Sequence, residues 1–183
     1  MEPMKHCFIA GNHDYPEMCK LSPNYLGRFG YLANPDMFYV SGGYSIDKWH
    51  RTIGISVWLD EELSFKEQED ALRMYAKTKP RIVATHDTPT TFRNSILTNI
   101  HKQRDGSINV NLFDKMFEIH KPEYWICGHH HVHKELDIEG TKFISLLDVP
   151  DFYVGDRPTD KNFFDLYRKV LHKCIYEIKD VKW

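Results

Sequence analysis

The chain has 183 residues, enough for one domain with a real core and short for two. A net charge of -2 offers no basic face for extended nucleic-acid contact, and no apolar run approaches membrane-spanning length. The four cysteines (Cys7, Cys19, Cys127, Cys174) form no CxxC pair, so a disulfide framework is excluded and the chain reads as cytoplasmic with reduced thiols.

In chain order, Cys7-Phe8-Ile9-Ala10 is a short apolar run that reads as a buried strand, with Gly11-Asn12-His13-Asp14 at its tip. Residues 15–35, rich in Gly, Pro and Asn, read as a loop with one short helical turn. Residues 37–40 read as a strand, Gly42-Gly43 as a turn and Tyr44-Ser45-Ile46 as the returning strand. Residues 52–59 alternate loosely and read as a strand or a loop. Ser64-Phe65-Lys66-Glu67 is a capping box. It opens a helix whose inward face is Phe65, Ala71, Leu72, Tyr75 and Ala76, and Pro80 stops it.

A strand at 82–84 then runs into Thr85-His86-Asp87. A second helix spans 112–119 and turns Leu112, Phe113, Met116 and Phe117 inward. The strand at 124–127 runs into Gly128-His129-His130-His131. Residues 132–138 and 141–146 read as strands joined by a Glu139-Gly140 hairpin turn. Past Asp160, Phe163, Tyr167, Val170, Leu171 and Cys174 fall at helical spacing, and 175–178 alternate as in a strand. Strands interleaved with helices argue an α/β layered domain.

Three polar clusters therefore follow three apolar strands, and strand tips on one sheet edge are where open α/β folds place their sites. Alone, GNHD reads equally well as a polar turn and a histidine run as solvated loop. Together they point to one metal site, because imidazoles and an amide oxygen suit Zn, Mn or Fe. Asn12, His86 and His129 form one ligand set. His131, pointing opposite to His129 in an extended segment, suits a second position. His13 is left to face the substrate as an acid to the departing alkoxide, with Asp14 holding its tautomer. His130 and His133 read as supporting or solvent-facing, and Arg28 and Arg51 as charged surface.

The GNHD, THDTP and GHHH blocks (Gly11 to Asp14, Thr85 to Pro89, Gly128 to His131) resemble the last three signature blocks of the calcineurin-like metallophosphoesterases. Gly42 to Asp47 and Trp58 to Glu62 resemble spacer segments of small bacterial and phage members. The resemblance covers roughly Phe8 to Leu147. It implies an α/β fold, a two-sheet β-sandwich flanked by helices in four αββα layers, and a phosphate mono- or diester as substrate. It also implies two divalent metal ions (Mn, Fe or Zn), with Asn12, His86 and His129 on one and His131 on the other. A metal-bound hydroxide would attack phosphorus in line while His13, supported by Asp14, protonates the leaving group.

The family's DxH and GDxx(D/G) blocks, expected before GNHD, have no counterpart in the ten residues that precede Gly11. On this reading the chain, 1–183, is a single domain formed by the C-terminal portion of the fold, N-terminally incomplete, with 156–183 as a C-terminal extension. Two dications about 4 Å apart repel by roughly 16 kcal/mol at an effective dielectric of 20. Four neutral ligands do little against that, so a single ion on Asn12, His86 and His129 is the better-supported centre. The missing strands leave a sheet edge or face that invites self-association or a partner chain. Two alternatives stay open: a non-catalytic binding or scaffold remnant, and half of a split enzyme completed by an upstream segment or a partner.

Overall fold

The structure is a computed structural model and describes residues 7–97 and 106–146. The tail helix and strand read beyond Asp160, the extension at 156–183, Cys174, and the histidines His6, His101 and His172 lie outside the described residues.

Six strands form one sheet in the order β1-β2-β3-β4-β6-β5, with β1 at Phe29–Leu32, β2 at Met37–Val40, β3 at Ile82–Thr85, β4 at Tyr124–Cys127, β5 at Lys134–Ile138 and β6 at Thr141–Ser145. The inner strands β2, β3, β4 and β6 run parallel, and β1 and β5 close the two edges antiparallel. Among the described residues this is the one sheet. The helices are α1 (Pro16–Leu21), α2 (Phe65–Thr78), α3 (Thr90–Ile96) and α4 (Ile108–Ile119), with a 3-10 turn at Lys48–His50. None of them is long and apolar enough to cross a membrane.

The strand pattern explains the layering. Register places Phe38, Val83, Trp125 and Phe143 side by side on one face, and Val40 and Cys127 one step further along. This face joins Tyr75 of α2, Phe92 of α3 and Leu112, Phe113, Met116 and Phe117 of α4 in a single core. Trp125 is fully buried, lies near-parallel to the Phe143 ring at 5.7 Å, and donates its indole N–H to Thr85 Oγ1 at 2.8 Å. Each fully buried large side chain of this kind is worth about 1.5–3 kcal/mol.

The capping box of α2 forms as read: Ser64 Oγ accepts from the Glu67 N–H, and Glu67 accepts from the Ser64 N–H at 2.7 Å. The helix ends at Thr78, one residue before a left-handed Lys79. Its inward face is narrower than the spacing suggested. Phe65 is 76% exposed. It sits about 80° round the helix from Tyr75, on the flank of the buried stripe. Helix α4 starts at Ile108, four residues earlier than read, because Ser107 caps it by accepting the Val110 N–H at 3.3 Å. Glu139 and Gly140 both take positive φ, as the tight β5–β6 turn requires.

Two strand readings are corrected. Residues 7–10 make a single isolated bridge, Phe8 with Tyr25, and not a strand. Their backbone bonds go to Asn24 and Leu26, then to Ser41 and Gly42, so Phe8 remains 37% exposed and only Ala10 is buried. The bond from the Gly42 N–H to the Ala10 carbonyl (2.7 Å) still lands GNHD beside the C-terminal end of β2. Likewise Gly42-Gly43 turns no hairpin. The antiparallel partner of β2 is the upstream β1, within the segment whose composition predicts a loop, and β3 occupies its other side. Residues 52–59 form turns with one isolated bridge, Ile53 with Val57.

Candidate metal centre

The parallel strands deliver their polar tips to one edge of the sheet. Val40 leads to Ser41 and Gly42, Thr85 to His86 and Asp87, and Cys127 to Gly128 and His129, with GNHD held alongside. Asp14 closes the GNHD loop by accepting the Gly11 N–H at 2.6 Å, so its carboxylate serves the turn, and it reaches His13 as a nearby charge.

Three donor atoms converge there. Asn12, 4% exposed, gives its Nδ2 to Ser45 Oγ at 3.0 Å and so presents Oδ1, 2.8 Å from His86 Nε2. His129 Nδ1 lies 3.1 Å from the same nitrogen. A tetrahedral ion with ligand bonds near 2.0 Å separates its donors by about 3.3 Å, so these spacings fit one after shifts of a few tenths of an ångström. Among the described residues no three His, Cys, Asp or Glu side chains form such a group; here the third donor is the amide oxygen. The imidazoles are also in the right state. Burial, then the charge of His129, drives the His86 pKa down to about 3, and burial drives His129 down to about 4. Both rings are neutral at pH 7 and offer lone pairs to a cation.

Backbone space fixes the His86 ring. A Cβ on Gly11 would come within 2.7 Å of its Cε1, and one on Gly43 within 2.8 Å of its Cδ2. The two glycines are therefore the walls of a slot for the imidazole.

His13 Nε2 lies 3.4 Å from Asn12 Nδ2, at the more exposed side of the centre. Partial burial and the Arg51 guanidinium lower its pKa, and His131 adds to that. His131 lines the same cavity as His13, a space of about 520 Å³ walled also by Asn12, His129, Arg51 and Arg93. Arg51, read from the sequence as surface, thus faces the site, tethered to Asp47 at 2.7 Å. Arg28 does not. It is spent on Glu67 and on the carbonyls of Asp60 and Glu62.

Two further charged side chains stand beside the centre, one of them from the Thr85-His86-Asp87 cluster. Asp87 is fully buried; its Oδ1 accepts from the Thr88 N–H (2.8 Å) and pairs with His130 Nε2 (2.9 Å) and Arg93 Nε (3.3 Å). Burial alone would raise its pKa, but the His130 bond and the His129 and Arg93 charges bring it down to about 2. Its Oδ2 lies 3.9 Å from His129 Nε2, the nitrogen turned away from the centre. Arg93 arrives on α3, a helix the sequence reading did not anticipate; only Thr88-Pro89-Thr90, with proline at the helix entry, hinted at it.

The family model for calcineurin-like phosphoesterases matches residues 1–133. The chain belongs to that family. No curated protein matches the sequence. Membership carries metal-dependent phosphoester hydrolysis as the general activity, and divalent metals as the general cofactor. This family member has an α/β architecture of a sheet flanked by helices, with one sheet among the described residues where the resemblance implied two, and its neutral donor triangle fits a divalent ion.

Proposed function

We propose that this phosphoesterase hydrolyses a phosphate mono- or diester around one divalent ion (Mn, Fe or Zn) held by Asn12, His86 and His129. The observation that carries the reading is the convergence of Asn12 Oδ1 and His129 Nδ1 on His86 Nε2, at 2.8 and 3.1 Å, with His13 at the open side. The bound ion supplies Lewis-acid polarisation of a phosphoryl oxygen and of water. His131 lines the His13 side of the cavity, where it would be the donor to a second ion.

The chain's own residues do the rest. Arg51, paired with Asp47, lines the cavity wall and carries guanidinium donors suited to phosphate oxygens, while Arg93 lines it as the buried partner of Asp87. Asp87 holds His130 by a hydrogen bond at 2.9 Å and sets a negative charge 3.9 Å behind His129 Nε2. His13 delivers a proton to the oxygen that leaves phosphorus; burial and Arg51 lower its pKa, and Asp47 and Asp14 act against that lowering.

Leaving-group dependence tests the acid. A p-nitrophenolate departs without a proton, whereas an alkoxide does not. With manganese present, His13→Ala should lower turnover of an alkyl or phenyl phosphate ester by about 10²–10⁴ and barely change that of the p-nitrophenyl ester. Equal losses on both esters, or none on either, would remove His13 from that role.

A further inference from the structure

Glu61 lies within a segment, Trp58 to Glu62, that the site described above does not use. It is 8% exposed, and both its carboxylate oxygens are turned to one residue. Ser45, fully buried, gives its backbone N–H to Oε1 at 3.0 Å and its hydroxyl to Oε2 at 2.8 Å. A serine hydroxyl has one proton to give. With that proton donated to Glu61, Ser45 Oγ has only lone pairs for Asn12, and Asn12 must offer Nδ2, as it does at 3.0 Å. The amide oxygen is thereby turned to His86. Neighbouring bonds hold Glu61 still: Arg28 takes the carbonyls of Asp60 and Glu62, each at 2.6 Å, and the Ser107 hydroxyl donates to Glu62 Oε1 at 2.6 Å.

We propose that Glu61 is a positioning residue for the metal centre, which sets, through Ser45, the face of the Asn12 amide that meets the ion. The inference rests on the metal reading above. An isosteric change reverses the relay. In Glu61→Gln the backbone N–H of Ser45 can only donate, so the new side chain turns its carbonyl to that N–H and its NH₂ to Ser45 Oγ. The Ser45 proton is then released toward Asn12. Asn12 accepts it with Oδ1, and the NH₂ group faces the cation.

The test uses the full chain titrated with manganese(II) alone by calorimetry, and the ¹H–¹⁵N spectrum of the metal-free protein. Glu61→Gln should weaken manganese binding about 10–100-fold, the usual cost of altering a residue behind a ligand. In the metal-free spectrum the Asn12 side-chain NH₂ pair, identified by its absence in Asn12→Ala, should move while the amides of β3 and β4 stay in place. A Glu61→Gln protein that binds manganese as the wild type does, or leaves the Asn12 pair unmoved, overturns the proposal. Should Glu61→Gln fail to fold, Ser45→Ala is read against the same two outcomes, since it removes the acceptor without touching the carboxylate. Failure of the wild type to bind manganese would instead overturn the metal reading, and the Asn12 spectrum would then decide the role of Glu61 by itself.

Discussion

Acid should loosen this protein through Glu67, whose carboxyl is held well below its ordinary value in the fold, and Glu67→Gln isolates the effect. Glu67 pairs with Arg28 at 3.1 Å and closes the α2 capping box. Burial alone would raise its pKa, but the Arg28 bond and the Ser64 donors bring it from the ordinary 4.5 down to about 2. A carboxyl whose folded pKa is depressed adds stability above its unfolded value, and loses it as pH falls toward the folded one. The whole gap converts to about 3 kcal/mol. The two side chains keep 32% and 21% of their exposure, and solvent screening reduces this to about 1–2 kcal/mol. Glutamine still serves a capping box, so the substitution removes charge and leaves the cap. Urea unfolding of both proteins at pH 7, 5 and 3 should show Glu67→Gln less stable by that amount at pH 7, with the difference shrinking toward pH 3. A difference that stays constant across the series, or is absent at pH 7, would refute the argument.

Gly11→Ala should weaken metal binding about 10–100-fold with little loss of secondary structure, because its Cβ would press on the His86 ring from 2.7 Å. Titration with zinc or manganese beside a circular dichroism spectrum checks it. Asp87→Asn leaves the Arg93 charge buried without its counterion and should cost about 3–5 kcal/mol in thermal or urea unfolding. An unfolding midpoint equal to that of the wild type would mean that the Asp87 carboxylate holds nothing in place.

The site was legible where short-range pattern and chemistry coincide. The parallel strands β3 and β4 announce themselves as apolar runs, and the polar tips that follow them are the ones that converge. Asn12, His86 and His129 were assembled from that pattern, and α2 from its capping box. What stayed illegible depends on long-range approach. Gly42 and Gly43 read as a hairpin, yet Gly42 lies against the Glu61 carbonyl and Gly43 against the His86 ring, and both partners are distant in sequence. The apolar run at 7–10 is too short to distinguish a strand from a segment that only passes a sheet edge. Arg28, Glu61 and Arg93 carry no periodic signal at all. Their roles exist only once loop 60–62, the end of β2 and α3 have met.

The most direct measurement is the metal content of the full chain after equilibrium dialysis against manganese or zinc, beside His86→Ala. The account predicts about one ion per chain, lost in the variant, as three protein donors and water suffice for one cation. A chain that binds no ion, or a His86→Ala protein that binds as much as the wild type, would contradict it.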